Sequence, residues 1–199
     1  MLGFLLMSGD APRETSEAAA ASREAALREW QSRPVVLVGF MGSGKTTVGR
    51  ILSHHLGRRC VDSDDVVVSR LGASIPELFQ RGDEPLFRQV ERAVVLELLA
   101  ERPPLVLALG GGAFMDVETA DAALAGGLVV HLVLPLDDLE AELPRLRRGR
   151  PLLADRPLEE IRELYRSREA IYKRAHLELT PAREGPAAAA DALLQRLHG

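Results

Sequence analysis

Residues 35–48 read VVLVGFMGSGKTTV, and the architecture of the chain can be inferred outward from this segment. Its first four residues are apolar and largely β-branched, as in a strand that is buried on both faces of a parallel sheet. Residues 39–46 match the pattern G-x-x-x-x-G-K-[ST] at every fixed position, and apolar residues at helical spacing follow. A strand, a glycine-rich turn and a helix in this order predict a loop that binds phosphate groups.

The chemistry of this loop predicts a nucleotide ligand such as ATP. Its glycines let consecutive backbone N–H groups point inward, and these groups bind phosphate together with the helix N-terminus. Lys45 can reach the β- and γ-phosphates, and the Thr46 hydroxyl can ligate Mg²⁺, which prefers hard oxygen ligands. A glycine-rich turn without a ligand is the alternative interpretation. GTPases, ATPases and small-molecule kinases share the motif, so it does not identify a substrate.

Further strands and helices alternate along the rest of the chain. Apolar runs predict strands at 60–61, 105–109, 128–134 and 177–180, and apolar periodicity predicts helices over 46–56, 65–71, 75–81, 87–101, 136–148, 157–175 and 187–197. Alternation of this kind predicts an α/β fold with a central parallel sheet and helices on both faces. With the phosphate loop, this arrangement resembles the three-layer fold of the P-loop NTPases, of the nucleoside monophosphate kinase-like type.

Length and composition limit the possible classes of protein. The 199 residues suffice for one domain, which we predict at 33–199, whereas residues 1–32 are predicted to be a disordered extension or, alternatively, an interaction arm. The net charge of −4 disfavours a nucleic-acid-binding protein. No apolar run approaches the roughly 20 residues that a membrane helix needs. The single cysteine, Cys60, excludes an intramolecular disulfide and fits a reducing compartment.

Two carboxylates follow the second predicted strand, in the segment Asp62-Ser-Asp64. If residues 61–63 stay extended, the two aspartates project to the same side, because side chains alternate along a strand. At the carboxyl end of a parallel strand they would face the phosphate loop. One could hold Mg²⁺ through water, and the other could accept the proton of an attacking hydroxyl. Capping of the following helix is the alternative role for either residue.

Two arginine-bearing segments could bind the anionic parts of the reactants. Arg88 and Glu91 share a helical face, so Glu91 could orient the guanidinium toward a ligand carboxylate, or the two could form a surface ion pair. Residues 146–153, LRRGRPLL, predict a basic lid loop. Closing this lid over ATP would bring Arg150 to the phosphates, and a solvated basic loop is the alternative.

A run of three glycines, Gly110 to Gly112, ends the strand that is predicted at 105–109. Without side chains these residues allow the backbone to approach a ligand closely, and a loose turn is the alternative. Arg168 lies four residues before Tyr172 on one helical face, where a surface arginine is the default interpretation.

Taken together, these motifs resemble those of the shikimate kinases over residues 34–180. The shared features are the phosphate loop, the aspartate pair, the Arg88–Glu91 pair, the glycine run, Arg-Pro-Leu-Leu at 150–153 and the arginine four residues before a tyrosine. The resemblance implies transfer of the γ-phosphate of ATP to the 3-hydroxyl of shikimate, with Mg²⁺ as the cofactor. It also implies a cytoplasmic monomer. Neither nucleic acid nor a membrane is an expected partner.

The resemblance also implies roles for individual residues. Lys45, Asp64 and Arg150 would be catalytic. Thr46 would bind Mg²⁺ directly, and Asp62 would bind it through water. The residues that would bind ATP are Gly42, Ser43, Gly44, Lys45, Thr46, Thr47 and Arg150. The residues that would bind shikimate are Asp64, Arg88, Gly110, Gly111, Gly112 and Arg168.

The chain departs from the family pattern at three places. Asp83-Glu84 stand where Gly-Glu is usual, with Gly82 one step early, so the turn is expected to shift. The segment before Arg150 is shorter than usual, which would alter how the lid closes. The usual Ala-Asp is replaced by Ala175-His176, and no role is predicted for the histidine.

Two other functions are compatible with many of these features. A related small-molecule kinase, such as a gluconate kinase, would have the same loop and fold but less need for arginines placed as Arg88 and Arg168 are. A non-catalytic ligand-binding module on this fold is the second alternative, although the residues for catalysis are all present.

Overall fold

A sheet of five strands forms the centre of the computed structural model, which describes residues 32–147, 153, 156–181 and 185–198. The strands lie in the order β2-β3-β1-β4-β5, and all four pairings are parallel. This confirms the predicted α/β fold with a central parallel sheet. The strands are β1 (Val35–Val38), β2 (Cys60–Asp62), β3 (Val106–Ala108), β4 (Leu128–Leu132) and β5 (Leu177–Leu179).

Helices connect the strands, as parallel pairing requires. A short 3₁₀ helix, Ala113–Met115, follows β3. Among the described residues, the α-helices include α1 (Lys45–Leu56), α2 (Ser63–Leu71), α3 (Ile75–Gln80), α4 (Glu84–Ala100), α5 (Val117–Gly126), α6 (Leu136–Leu146), α7 (Leu158–Tyr172) and α8 (Pro186–His198).

Strand β1 shows how the sheet carries helices on both faces. Val36 and Val38 belong to one apolar cluster, while Val35 and Leu37 belong to another, because successive side chains point to opposite faces of a strand. The first cluster contains buried residues of α4, α5, α6 and α7. The second contains buried residues of α1 and α8. Two cores that share one sheet give the predicted three layers.

Three helices differ from the sequence-based prediction. Helix α2 begins at Ser63 rather than at 65, since Asp62 caps it. Helix α4 begins at Glu84 rather than at 87, since Pro85 in the first turn is compatible with a helix. Helix α5 was not predicted, because its alanine-rich sequence has little apolar periodicity. The sequence feature that marks the start of this helix is its N-cap residue, Asp116, whose carboxylate accepts a hydrogen bond from the backbone N–H of Thr119.

The strand order positions the predicted functional segments at one edge of the sheet. The phosphate loop follows β1, the aspartate pair follows β2 and the glycine run follows β3, and the carboxyl ends of parallel strands meet at a single edge. Strand β3 lies between β1 and β2. The glycine run therefore lies between the phosphate loop and the aspartates.

Two parts of the sequence-based prediction lie outside the described residues. These are Arg150 with the neighbouring lid residues, and residues 1–31 of the extension. Within the ranges that the structure describes, no helix combines the length and the apolar character needed to cross a membrane.

Candidate active site

The phosphate loop connects β1 to the first turn of α1. Gly44 is the N-cap residue and adopts a left-handed conformation, with φ of 91°, which favours glycine. The ammonium group of Lys45 lies over the loop and donates hydrogen bonds to the carbonyl oxygens of Gly39, at 2.8 Å, and Phe40, at 3.1 Å. Ser43 is buried, whereas Thr46 and Thr47 are exposed at the start of the helix. The loop therefore presents a cation, hydroxyl groups and a helix N-terminus, as phosphate binding requires.

Thr46 and Asp62 lie together at this end of the sheet. The Thr46 hydroxyl donates a hydrogen bond to Oδ2 of Asp62 at 3.0 Å, and Oδ1 of Asp62 accepts the backbone N–H of Asp64 at 3.1 Å. Asp62 thus caps α2 and also faces the phosphate loop. The two predicted roles of this residue, helix capping and the binding of Mg²⁺ through water, are therefore compatible. Two hard oxygen donors next to the loop fit a magnesium ion, which commonly retains several waters and few protein ligands.

Asp64 reaches the cleft by a different route from the one predicted. The condition that residues 61–63 all remain extended is not met at Ser63, because the cap at Asp62 starts α2 there and places Asp64 in the first helical turn. Ser63, which was not predicted as a site residue, is buried and accepts the N–H of Gly110 through Oγ at 2.8 Å. This bond ties the first turn of α2 to the glycine run.

The Asp64 carboxyl group is unusual in its surroundings. Its Oδ1 atom is buried and has no hydrogen-bond partner among the described residues. Burial, followed by the negative charges of Asp62 and Glu91, raises the pKa of Asp64 to about 6, against the opposing effect of Lys45 and Arg88. A carboxyl group with such a pKa can gain and lose a proton near neutral pH.

The glycine run leaves space for two of the charged side chains. A Cβ atom on Gly110 would lie 2.1 Å from Oδ1 of Asp64, and one on Gly112 would lie 2.6 Å from Nη1 of Arg88. Both distances are far shorter than a van der Waals contact. The sequence predicts that these glycines allow the close approach of a ligand, with a loose turn as the alternative. In the structure, protein side chains occupy the space beside two of them.

Arg88 is held by two carboxylates of its own helix, α4. Its Nη1 atom donates to Glu91 at 2.8 Å, and its Nη2 atom lies 3.3 Å from a carboxylate oxygen of Glu84. Glu91 is 4% exposed, so this ion pair is not the surface pair that was the alternative. Burial raises the pKa of Glu91, while the neighbouring Arg88 lowers it. Asp83 departs from the family pattern, whereas Glu84 matches it and contacts the guanidinium.

Arg168, from α7, lines the same cleft. It is 8% exposed, which contradicts the default interpretation of a surface arginine. Its Nη1 atom donates to the carbonyl oxygen of Gly111 at 3.1 Å, and its guanidinium lies 5.8 Å from the centre of the Phe40 ring. Burial lowers the pKa of Arg168, but the group stays charged at any ordinary pH.

A cleft of about 350 Å³ unites these groups. Its lining combines apolar side chains with Asp64, which could accept a proton, and with two guanidinium groups that could bind a carboxylate. Its polar and backbone lining includes Asp64, Asp65, Arg88, Glu91, Gly111, Gly112 and Arg168, and its apolar lining includes Met41, Val68, Ile75, Pro76, Phe79 and Phe87.

Comparison with known proteins identifies the family of the chain. A model of the shikimate kinase family matches residues 41–198. The chain belongs to the shikimate kinase family. Among curated shikimate kinases, that of Geobacillus thermodenitrificans is 40% identical over 151 residues, which cover 75% of this chain and 79% of that protein. A shikimate kinase of Thermus thermophilus is 41% identical over 147 residues, covering 73% of this chain and 79% of that protein.

Solved shikimate kinases share the fold. The enzyme from Acinetobacter baumannii, solved in complex with shikimate, superimposes with a TM-score of 0.75 at 35% identity, covering 85% of this chain and 95% of that one. A gluconokinase from Sinorhizobium meliloti has a TM-score of 0.51 at 19% identity, a likeness of fold alone. As a member of the shikimate kinase family, the chain is an ATP-dependent small-molecule kinase.

Proposed function

We propose that the chain transfers the γ-phosphate of ATP to the 3-hydroxyl of shikimate, giving shikimate 3-phosphate and ADP. The observation that carries this proposal is the position of Asp64 in one cleft with Arg88 and Arg168, beside the phosphate loop. Shikimate offers a carboxylate at one end and hydroxyl groups at the other. Two guanidinium groups suit the carboxylate, and a carboxyl group with a raised pKa suits the attacking hydroxyl.

The proposed reaction assigns a separate role to each charged group. Arg88 and Arg168 bind the carboxylate of shikimate, and the N–H groups of Gly111 and Gly112 contact the same molecule, while Gly110 makes room for Asp64. Ionised Asp64 accepts the proton of the 3-hydroxyl as that oxygen bonds to the γ-phosphorus and the bond from phosphorus to the β,γ-bridging oxygen breaks. Lys45 leaves its two loop carbonyls for the phosphates and stabilises charge on the oxygens of the transferring group. Gly42, Ser43, Gly44 and Thr47 complete the nucleotide site, and Arg150 of the lid approaches the phosphates.

We further propose Mg²⁺ as the cofactor. Thr46 would bind it directly and Asp62 through water, a donor pair supported by the 3.0 Å separation of the two side-chain oxygens. When bound, the ion neutralises charge on the β- and γ-phosphate oxygens. A cytoplasmic monomer is the cellular and oligomeric state that the family resemblance implies.

A substrate panel tests the proposed function. Release of ADP is measured by a coupled assay with shikimate, gluconate and other hydroxy acids as acceptors. Turnover with shikimate and none with gluconate is the expected result. Turnover with gluconate but not with shikimate would assign the chain to a different small-molecule kinase. Binding of ATP and shikimate without release of ADP would identify a non-catalytic module.

Substitution of Arg88 by lysine tests the carboxylate clamp. Lysine keeps the positive charge beside Glu91 but loses the planar fork that binds a carboxylate through two hydrogen bonds. We expect shikimate binding to weaken by about 1.5 kcal/mol, the lower end of the range for a hydrogen bond to a charged group. The KM for ATP is expected to stay unchanged.

The control for this substitution is Arg70→Lys. Arg70 forms an ion pair with Glu97 at 2.7 Å on the exposed side of α2 and α4, outside the cleft. Its replacement should leave both KM values unchanged. A KM that rises for ATP and not for shikimate in Arg88→Lys would place Arg88 in the nucleotide site instead.

A further inference from the structure

Tyr172, the last residue of α7, contacts the glycine run through its hydroxyl group. The phenol oxygen donates a hydrogen bond to the carbonyl oxygen of Gly111 at 2.7 Å, and the residue is 2% exposed. Its ring is fixed by Phe114 and His131, whose ring centres lie 6.3 Å and 5.1 Å away. Burial raises the pKa of Tyr172 to about 12, so its hydroxyl remains a donor at any pH at which the enzyme would be assayed.

The same carbonyl oxygen also accepts a hydrogen bond from Arg168 at 3.1 Å. A carbonyl oxygen has two lone pairs and can accept both donors. In the proposed function, however, Arg168 must turn its N–H groups toward the carboxylate of shikimate. The carbonyl of Gly111 would then lose one donor, and the Tyr172 hydroxyl is the donor that stays.

The remaining hydrogen bonds of the glycine run show which of its backbone groups have partners within the protein. The N–H of Gly110 donates to Ser63, while the carbonyl groups of Gly110 and Gly112 accept from Ala113 and Met115. Among the described residues, the N–H groups of Gly111 and Gly112 have no partner, and both glycines line the cleft. These two N–H groups are free to bind an anion.

Peptide geometry connects the Tyr172 hydroxyl to one of these N–H groups. The carbonyl of Gly111 and the N–H of Gly112 belong to one planar trans peptide and point in opposite directions. Fixing the carbonyl on Tyr172 therefore fixes the direction of the N–H. A glycine pair needs such a restraint, because glycine has the widest choice of backbone conformations.

We propose that Tyr172 is a positioning residue for the acid substrate: its hydroxyl holds the Gly111–Gly112 peptide so that the N–H of Gly112 faces the cleft while Arg168 is released to bind the carboxylate. This inference rests on the proposed function, since it concerns binding of the carboxylate of shikimate. Tyr172 does not touch the substrate. It acts through the peptide and through Arg168.

The substitution Tyr172→Phe tests this role, with Tyr165→Phe as the matched control. Both tyrosines lie in α7 and are buried, but Tyr165 contacts the Phe40 ring, at 5.4 Å between ring centres, and its hydroxyl has no hydrogen-bond partner within the described ranges. We expect Tyr172→Phe to raise the KM for shikimate about five- to tenfold, the loss expected for one hydrogen bond. The KM for ATP should change by less than about twofold. Tyr165→Phe should leave both constants unchanged.

A merely structural role would give a different result. If the role were only structural, Tyr172→Phe would have a lower melting temperature than the wild type. Saturating shikimate would then raise the melting temperature of the variant by as much as it raises that of the wild type. An unchanged KM for shikimate in the variant, with the wild type active on shikimate, would overturn the inference and leave the proposed function intact. A wild type that does not turn over shikimate would overturn the proposed function itself.

A second measurement does not depend on the stability of Tyr172→Phe. The chain has two tyrosines, so Tyr165→Phe protein that incorporates 3-fluorotyrosine carries one ¹⁹F label, at Tyr172. Saturating shikimate should shift this resonance, because Arg168 leaves the carbonyl that Tyr172 shares with it. ADP alone should shift it far less. A resonance that shikimate does not move would also overturn the inference.

Discussion

Asp64 shows how a single residue acquires its chemistry from its surroundings. A carboxyl group in water is ionised well below neutral pH, but this one is largely buried and lies near the negative charges of Asp62 and Glu91. These effects outweigh the attraction of Lys45 and Arg88, so the pKa rises to about 6. A base of this strength can take a proton from a hydroxyl and still lose it again near neutral pH.

The raised pKa predicts how activity depends on pH. Only ionised Asp64 can accept the proton of the hydroxyl, and the fraction ionised falls as the pH drops through about 6. The kcat/KM for shikimate should therefore be nearly constant above neutrality and fall about tenfold per pH unit well below that pKa. The measurement is a profile of kcat/KM between acid and neutral pH.

Asp64→Asn provides the control for this profile. The amide is close in shape to the carboxyl group but cannot act as the base, so turnover should fall by about two to four orders of magnitude. The residual rate should lose the inflection near pH 6. A wild-type rate that is independent of pH across that region would contradict the role of Asp64.

At the scale of elements, the junction between α2 and the glycine run determines the position of Asp64. Asp62 starts the helix, Ser63 holds the N–H of Gly110, and Gly110 leaves room for the Asp64 carboxyl group. None of these contacts involves a ligand. The two segments therefore hold the base in position before the substrate binds.

Gly110→Ala tests this junction. The added methyl group would overlap Oδ1 of Asp64, and the short aspartate side chain would have to rotate away. We expect kcat to fall about 100-fold, the scale of loss that a displacement of about 1 Å causes in an active site. The expected change in the KM for ATP is small. Steady-state kinetics with both substrates would measure the two effects.

Gly126→Ala is the matched control for this variant. Gly126 ends α5, its φ is not positive, and a Cβ atom there would meet no atom within 4 Å. Alanine should leave kcat unchanged. It should stabilise the fold by about 0.4–1 kcal/mol, because it lowers the conformational entropy of the unfolded chain. Full activity of Gly110→Ala would contradict the proposed junction.

For the whole molecule, the order of strands assembles the site from distant parts of the chain. Strand β3 lies between β1 and β2, so residues 110–112 come between the phosphate loop and residues 62–64. Helix α7 then brings Arg168 to Gly111, across 57 positions of sequence. The apolar clusters on the two faces of the sheet hold these segments in one arrangement.

The predicted boundary between the extension and the domain can be tested by truncation. A chain that begins at Ser32 should retain kcat and both KM values within about twofold, because residues 1–31 are predicted to be an extension outside the domain, and removal of such a segment should not disturb the core. Activity assays and thermal melting would measure the effect. A large loss of activity would show that residues 1–31 contribute to function.

A shorter chain that begins at Val35 is the contrasting variant. Arg58 donates to the carbonyl of Arg33 at 2.8 Å, and the N–H of Leu128 donates to the carbonyl of Pro34 at 2.8 Å. Both of these hydrogen bonds would be lost. We expect a lower melting temperature, corresponding to about 1–3 kcal/mol for each acceptor that is lost.

The sequence by itself determined the phosphate loop, the parallel sheet and most of the residues of the candidate site. Residues 35–46 specify a buried strand and a phosphate loop through local pattern alone, and spacing along the chain brings Arg88 to Glu91 within one helix. Only the tertiary structure decided that Gly110 makes room for the carboxyl group of Asp64 and that Tyr172 holds Gly111. Periodicity reports on neighbours within a few positions, whereas these contacts join residues 46 to 61 positions apart. They exist because of the strand order and the packing of α7 against the sheet.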